Sequence, residues 1–458
     1  MTDTEDLRAA LGYVERWLRY RAWYLRVPGV QWAVGFDGAV QGGGAIGLAD
    51  ETTREPLTGA HRFRIASHSK TFTAVAVLRL VADGRLRLEA PLGEVLPELA
   101  DAGIGAVTVR QLLEHGGGVI RDGLDGDHWQ HARAFPDLER LLAIAREEGV
   151  KQEPELRFAY SNIGYALLGE VIARVAGATF RDAVRASVIE PAGLRRTDPD
   201  LVEGVPTAAA HSGLATARTR TRLPHVDTAA MSAATGFSST AEDVVTLLLA
   251  LRPGTGALLP DPLKRLQQRP LQETGSGGSY GLGMVVETLA GRRVVGHSGG
   301  YPGHITKSVV DPEAGIAVSV LTNSVDGPAT ELATGVLAIL DAAVTRTPSG
   351  AVHGDTAPYE GRFAGTWDVV DVARIGDRLL ALSPLAANPM TGVDRLEVVD
   401  ADTLRIAEGD GYGSVGETVR YERDADGGIA RVRIAASTAL PFDVDGADSW
   451  RPPFPAEG

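Results

Sequence analysis

Beyond residue 358 the hydrophobic period of this chain drops to two and stays there. The runs at 366–372, 378–382, 395–399, 403–407, 418–422 and 429–434 alternate apolar with polar residues, and turn residues separate them at short intervals. Alternation of that kind belongs to strands with one buried face. Several such strands in succession, with no helical run between them, predict an all-β domain of barrel or sandwich type.

The earlier part of the chain reads differently. Residues 7–25 place apolar side chains at helical spacing, Trp17, Tyr20 and Trp23 among them, and Pro28 and Gly29 stop the run. A hairpin follows, 30–36 and 39 onward, about the turn Asp37-Gly38. Helical runs then dominate, at 67–84, 109–114, parts of 129–149, 160–176, 180–189 and, capped by Thr240, 241–251. Residues 202–231 lack a period and read as an irregular, lid-like segment. After Pro270 strands return at 281–287, 292–296, 305–310 and 316–321, and a helix at 329–344 closes the unit. Strands on either side of a helical middle predict an α+β domain built on one antiparallel sheet. The stretch 345–358 is rich in Thr, Pro, Gly and Ser. The expected domains are therefore 1–345, a linker at 346–358, and the β domain at 359–458.

Composition narrows the chemistry. The net charge of −14 argues against nucleic acid or an anionic membrane as the main partner. With no cysteine, thiolate chemistry, disulfides and Cys-ligated zinc are excluded. The acidic N-terminus has no signal-peptide pattern, and no stretch is long and apolar enough to span a bilayer, so a cytoplasmic location is expected. Oligomeric state stays open.

Three short segments carry groups fit for catalysis. In the first, Ser67-His68-Ser69-Lys70, the hydroxyl and the amine lie three residues apart at a strand-to-helix junction, hence on one helical face. Free N–H groups at a helix start favour a developing anion. A serine, an amine base and an oxyanion donor thus come from one segment, and S-x-x-K is a motif of acyl-enzyme chemistry. The competing reading is a capping serine with an unrelated lysine. However, only Lys70, Lys151, Lys264 and Lys307 occur in the chain. In the second segment, Tyr160-Ser161-Asn162, a phenol held partly ionised by the lysine can relay a proton, and an amide can orient the lysine. Taken alone, a plain capped helix start is the favoured explanation of this segment. In the third, His297-Ser298-Gly299-Gly300, the glycines Gly299 and Gly300 let a substrate approach a strand edge, with the Gly300 N–H as a second oxyanion donor. A tight turn with a surface histidine is the alternative.

Gly296-His297-Ser298-Gly299-Gly300 also fits G-x-S-x-G, but a nucleophile elbow needs a helix next, and Tyr301-Pro302-Gly303 follows. The His128, His131 pair near Asp127 reads as solvated surface rather than a metal site.

Taken together and in this order, the three segments resemble the serine β-lactamase and penicillin-binding-protein superfamily. The resemblance is to its class C branch, with D,D-carboxypeptidase, D-aminopeptidase and esterase relatives, whose pattern is S-x-x-K, Y-x-N, then K-T-G or H-x-G. It extends over residues 10–345, through Val109 to Gly116, Ser239 to Asp243, Tyr280 to Gly283 and Leu321 to Asn323. The resemblance implies an antiparallel sheet flanked by helices, plus a helical lobe, and some relatives append a lipocalin-like barrel. It makes Ser67 the acylated residue, Lys70 its general base and Tyr160 the partner in proton transfer. Asn162 and His297 would order the site and contact substrate. The N–H groups of Ser67 and Gly300 would form the oxyanion hole. No metal or organic cofactor is implied. His297 in place of lysine grips a carboxylate less firmly, because a histidine is mostly uncharged at neutral pH. That favours a small ester, amide or D-aminoacyl substrate over a β-lactam. An acyltransferase using the same acyl-enzyme, or a low-turnover acyl-binding protein, is the alternative. The His115-Gly116-Gly117-Gly118 run departs from the pattern.

Overall fold

A computed structural model describes residues 3–345, 352, 354–409 and 415–452. Most of the expected linker, 346–351 and 353, lies outside the described residues. Contacts divide the chain into two compact units, 27–330 and a discontinuous one of 1–26 with 331–458. This division does not follow the linear boundary expected at 345. The reason lies in the first helix, Asp3–Tyr24. Its Trp17 ring fills the space where a side chain at Gly335 would stand. Its Arg21 pairs with Glu331 and donates to the Leu385 carbonyl.

Unit 27–330 is built on a sheet that has nine strands among the described residues. Their order is Glu55–Pro56, Ala39–Asp50, Gly29–Phe36, Ile316–Thr322, His304–Asp311, Arg292–Tyr301, Val285–Leu289, Ser279–Tyr280 and Gln272–Glu273. Every pairing is antiparallel. The central strands Gly29–Phe36 and Ile316–Thr322 are buried along their whole length. They therefore read as apolar runs rather than as alternating ones. The helix Ala241–Ala250, with the Thr240 side chain accepting from Asp243 N, packs on this sheet. A side chain at Gly35 would strike Val245 and Leu249, so glycine there sets how closely helix and sheet approach.

The helical lobe shares one apolar core built from the helices Ser69–Ala82, Val109–Leu113, Leu138–Glu147 and Asn162–Ala176. Residues Ser69 to Leu78 are all buried. The run expected as one helix at 180–189 is a short helix, Phe180–Val184, continued by a wider π-type turn, Arg185–Ile189.

The other unit contains a closed antiparallel barrel of eight strands, Gly361–Ala364, Val369–Ile375, Arg378–Leu382, Asp394–Asp400, Thr403–Glu408, Thr418–Arg423, Ile429–Ile434 and Ser437–Pro441. Phe363, Val372, Leu379, Leu396, Leu404, Ile406, Val419, Tyr421 and Val432 fill its interior. The α+β reading with an appended β-barrel is thus the architecture observed.

The segment expected to be lid-like is anchored instead. Arg64, with no exposed surface, donates from Nη1 to Asp200 Oδ1 at 2.6 Å. It also donates to the Gly236 and Val226 carbonyls. Asp200 in turn accepts from Thr228 Oγ1 at 2.6 Å and from Leu201 N at 2.8 Å. Both ends of the irregular stretch are thereby tied to the strand that leads into Ser67. Asp200→Ala would strand the Arg64 guanidinium in a dry interior. The expected loss is about 3–5 kcal/mol, read as a lower urea midpoint, with a smaller loss for Asp200→Asn.

Candidate active site

The nucleophile segment is held from several sides. A short strand, Phe63–Arg64, pairs with Ser238–Ser239. A turn of 3₁₀ helix, Ala66–His68, then leads into the helix Ser69–Ala82. Ala66 takes φ +49°, a left-handed conformation costly for a side chain bearing Cβ. Ser69 Oγ donates to the Ala66 carbonyl at 2.5 Å and accepts from Phe237 N at 3.1 Å. Thr71 and Thr73 donate to the carbonyls of Gly283 and Ala233. Ser67, itself half-buried, stands at the edge of a cleft of about 520 Å³.

Lys70 is fully buried, and its Nζ meets three oxygens. These are Asn162 Oδ1 at 2.7 Å, the Ala234 carbonyl at 2.9 Å and Ser67 Oγ at 3.3 Å. Burial, and secondarily Arg121, pulls its pKa well below the ordinary lysine value, against the opposing pull of Asp122. A neutral amine has two N–H donors and one lone pair. The amide and carbonyl oxygens can only accept from it, so they take the two donors. Nζ donates to Ser67 Oγ as well; once neutral, with its two donors on the amide and the carbonyl, its lone pair would face that hydroxyl and take its proton.

Tyr160 reaches the same oxygen from the other side, its hydroxyl donating to Ser67 Oγ at 2.8 Å. Burial pushes the phenol up, with the bond to Ser67 a smaller opposing influence. The phenol therefore enters as an O–H donor, not the partly ionised group expected from sequence. Ser161 caps the helix Asn162–Ala176, accepting from Gly164 N at 2.8 Å. Asn162 opens that helix and donates to Asp122 Oδ1 at 2.7 Å, an oxygen that also accepts from Trp129 Nε1 at 2.9 Å. The segment is a capped helix start, and the same geometry brings Tyr160 to Ser67 and Asn162 to Lys70.

His297 lies on the strand Arg292–Tyr301 and is buried. Its Nδ1 bonds the Ser298 carbonyl at 2.6 Å and its Nε2 meets the Tyr280 hydroxyl at 2.9 Å. A carbonyl cannot donate, so Nδ1 carries the proton and Nε2 accepts from Tyr280. Burial, then His68 and Lys70, holds the ring well below its usual pKa. An uncharged imidazole with both nitrogens engaged has no donor left for a substrate. Gly300 lines the cleft, whereas Gly299 does not. Gly299 is buried, and a Cβ there would meet the Ile65 carbonyl at 2.2 Å. Its absence of side chain sets this strand directly against the turn before Ser67. Ser298 is in mid-strand and no helix follows it, which removes the nucleophile-elbow reading.

The Gly-rich departure is also explained. His115 takes φ +60° and packs its ring among Tyr160, Tyr165, Tyr280 and Phe158. Its Nδ1 accepts from Ser161 N at 3.1 Å, so it supports the second segment from behind. His128 is buried against Phe135 rather than solvated. Among the described residues no cluster of metal-ligating side chains occurs.

Sequence reasoning missed Asp122, Trp129, Tyr280, Glu287 and Lys307, all of which line the cleft. Tyr280 lay within a run quoted for the family resemblance, which was the one available signal.

The Beta-lactamase family profile matches residues 14–343. The chain is 32% identical to the esterase EstB of Burkholderia gladioli over 61% of its own length and 82% of the relative's. It is 26% identical to a D-aminopeptidase of Cereibacter sphaeroides over 65% of its length, spanning 57% of that protein. The D-amino acid amidase of Ochrobactrum anthropi, solved with D-phenylalanine, superposes with a TM-score of 0.62 at 26% identity, covering 74% of this chain and 99% of the amidase.

The buried neutral histidines set an acid limit on the fold. Burial holds His68 at about 3, and His115 and His297 well below their ordinary value. Between that lowered pKa and the unfolded value of about 6.5, only the unfolded chain takes up the proton. Stability from these groups is therefore complete above about pH 6.5 and falls as pH drops toward the folded pKa. For His68, held at about 3, the cost at pH 5 is about 2 kcal/mol relative to pH 7, and His115 and His297 act in the same direction. The thermal midpoint is expected to fall steadily over that interval, and a flat or rising curve would contradict the assignment.

Proposed function

This chain belongs to the Beta-lactamase family, and from that premise we propose that it is a serine hydrolase cleaving a small ester or amide through an acyl-enzyme on Ser67. Esters and D-aminoacyl amides are the classes its similar proteins are named for. The observation that carries the reading is the buried Lys70 amine, whose Nζ lies 3.3 Å from Ser67 Oγ with Asn162 Oδ1 and the Ala234 carbonyl as its other partners.

The steps follow from that arrangement. As Ser67 Oγ attacks the carbonyl carbon, its proton passes to Lys70 Nζ. The carbonyl oxygen becomes an oxyanion, met by the Ser67 and Gly300 N–H groups. In the tetrahedral intermediate Oγ is a poorer acceptor, and the Tyr160 O–H turns from it to the leaving oxygen or nitrogen, protonating it as its bond to the carbonyl carbon breaks and the oxyanion returns to a carbonyl, which leaves the acyl-enzyme. The lysine ammonium then restores the phenol's proton. The high pKa of Tyr160 suits this order, because a neutral phenol donates when a base develops beside it and not before. Water attacks the acyl carbon along the same route in reverse, returning Ser67, Lys70 and Tyr160 to their starting states.

A fluorophosphonate probe followed by peptide mass mapping tests the reading: the adduct is expected on Ser67 alone, and labelling elsewhere with Ser67 untouched would refute it. Ser67→Ala is expected to leave no p-nitrophenyl ester turnover above background. Tyr160→Phe lowers kcat by about 10²-fold, and Lys70→Arg by about 10³-fold or more, since a guanidinium cannot accept the proton. The base acts only when neutral, so kcat/KM is lost as pH falls through the Lys70 pKa, which burial sets well below the ordinary lysine value. An acid limb placed near the ordinary lysine value would overturn the role given to Lys70.

A further inference from the structure

The wall of the cleft at the third segment carries an ion pair that the chemistry above does not use. Lys307 and Glu287 line the same cleft as Ser67 and Gly300. They come from the two strands flanking Arg292–Tyr301, with Lys307 opposite Ser298 and Glu287 opposite Val294. Lys307 Nζ donates to Glu287 Oε1. The lysine side chain is 4% exposed and the glutamate 21%, so the carboxylate is the face the cleft sees. The pair sits beside His297, which has no donor left for a substrate anion. Lys307 is thus the cation on this strand wall, and Glu287 occupies it; the other cation lining the cleft, Arg121, pairs with Asp122.

We propose that the Lys307–Glu287 pair is the charge filter of the cleft, selecting substrates whose acyl group is uncharged and turning away those that bear a carboxylate. The inference rests on the serine-hydrolase reading of this site. A carboxylate entering the cleft meets Glu287 before Lys307. To reach the lysine it must displace a like charge from a partner already stripped of water, where charge interactions are strong. An ammonium is tolerated better, since the exposed partner is the acid. Removing Glu287 frees a desolvated cation one strand from Ser298 and reverses the preference.

Phenylboronic acid and its meta-carboxy and meta-aminomethyl derivatives test this without turnover. Boron accepts a lone pair from Ser67 Oγ, forming a B–O bond, while the hydroxyl proton passes to Lys70. The quantity read is the Kd of each charged derivative divided by that of the parent acid on the same variant, so any general loss of affinity cancels. Wild type is expected to bind the carboxy derivative no better than the parent. Glu287→Gln shifts that ratio by about tenfold or more toward the carboxylate, and Lys307→Gln shifts preference toward the ammonium. Ratios unmoved in both variants would overturn the proposal. So would a wild type that already binds the carboxy derivative tenfold more tightly, a measurement that needs no variant to fold. Parent affinity unchanged in Ser67→Ala would instead sink the serine-hydrolase reading, while the ratios still report on the pair.

Discussion

The site depends on an amine kept where water cannot reach it. Lys70 has no exposed surface, yet Ser67, three residues away, opens on the cleft. Removing solvent from the lysine favours its neutral form, and a neutral amine needs only two acceptors. The Asn162 amide and the Ala234 carbonyl provide them. Each comes from a different element, so the basicity of one group requires the nucleophile helix, the helix Asn162–Ala176 and the turn Ser232–Gly236 to pack together. Thr73, donating to the Ala233 carbonyl from the same helix as Lys70, locks that turn in register.

The support continues outward from these acceptors. Asp122 fixes the Asn162 amide by accepting from its nitrogen, which leaves the amide oxygen directed at Lys70. Trp129 fixes Asp122. His297, through Tyr280, and His115, through the Ser161 N–H, close the opposite side. In an interior of low dielectric each of these bonds is stronger than it would be in water, and each unpaired partner is correspondingly costly.

Much of this was legible in the sequence, for reasons that can be stated. Helical spacing, the caps at Ser161 and Thr240 and the alternating tail are local patterns, and they survive in the structure. The barrel strands Gly361–Ala364 and Ser437–Pro441 were not read, being short and broken by glycine or proline. Trp367 was placed in a strand but projects from a turn, 94% exposed. The strand Arg292–Tyr301 runs on through glycines that weaken any strand signal, because its path is set by contact with Ile65 rather than by propensity. Within the site, residue types that do chemistry were visible as spaced motifs. The Ala234 carbonyl was not, since every residue carries one. Asp122 stands 40 residues before its partner Asn162 in an irregular loop with no pattern to mark it.

The same burial that makes Lys70 a base makes a poor ligand of His297. Desolvation lowers the pKa of both, but the consequences differ. For the lysine a vacant lone pair is the working state. For the histidine it means that the third segment offers shape and a hydrogen bond to Tyr280 instead of charge. Recognition by a full charge must then come from elsewhere on the wall, and both cations lining the cleft, Lys307 and Arg121, are already matched to acids of the chain, Glu287 and Asp122. A cleft arranged in this way derives little binding from ionic groups and depends on its aromatic lining, Trp129, Phe158, Tyr160 and Tyr280, to hold an acyl group against the nucleophile. Aromatic faces favour flat, apolar partners through burial and stacking. The electrostatics around the serine and the shape that faces its target therefore share one origin, the burial of Lys70 and His297.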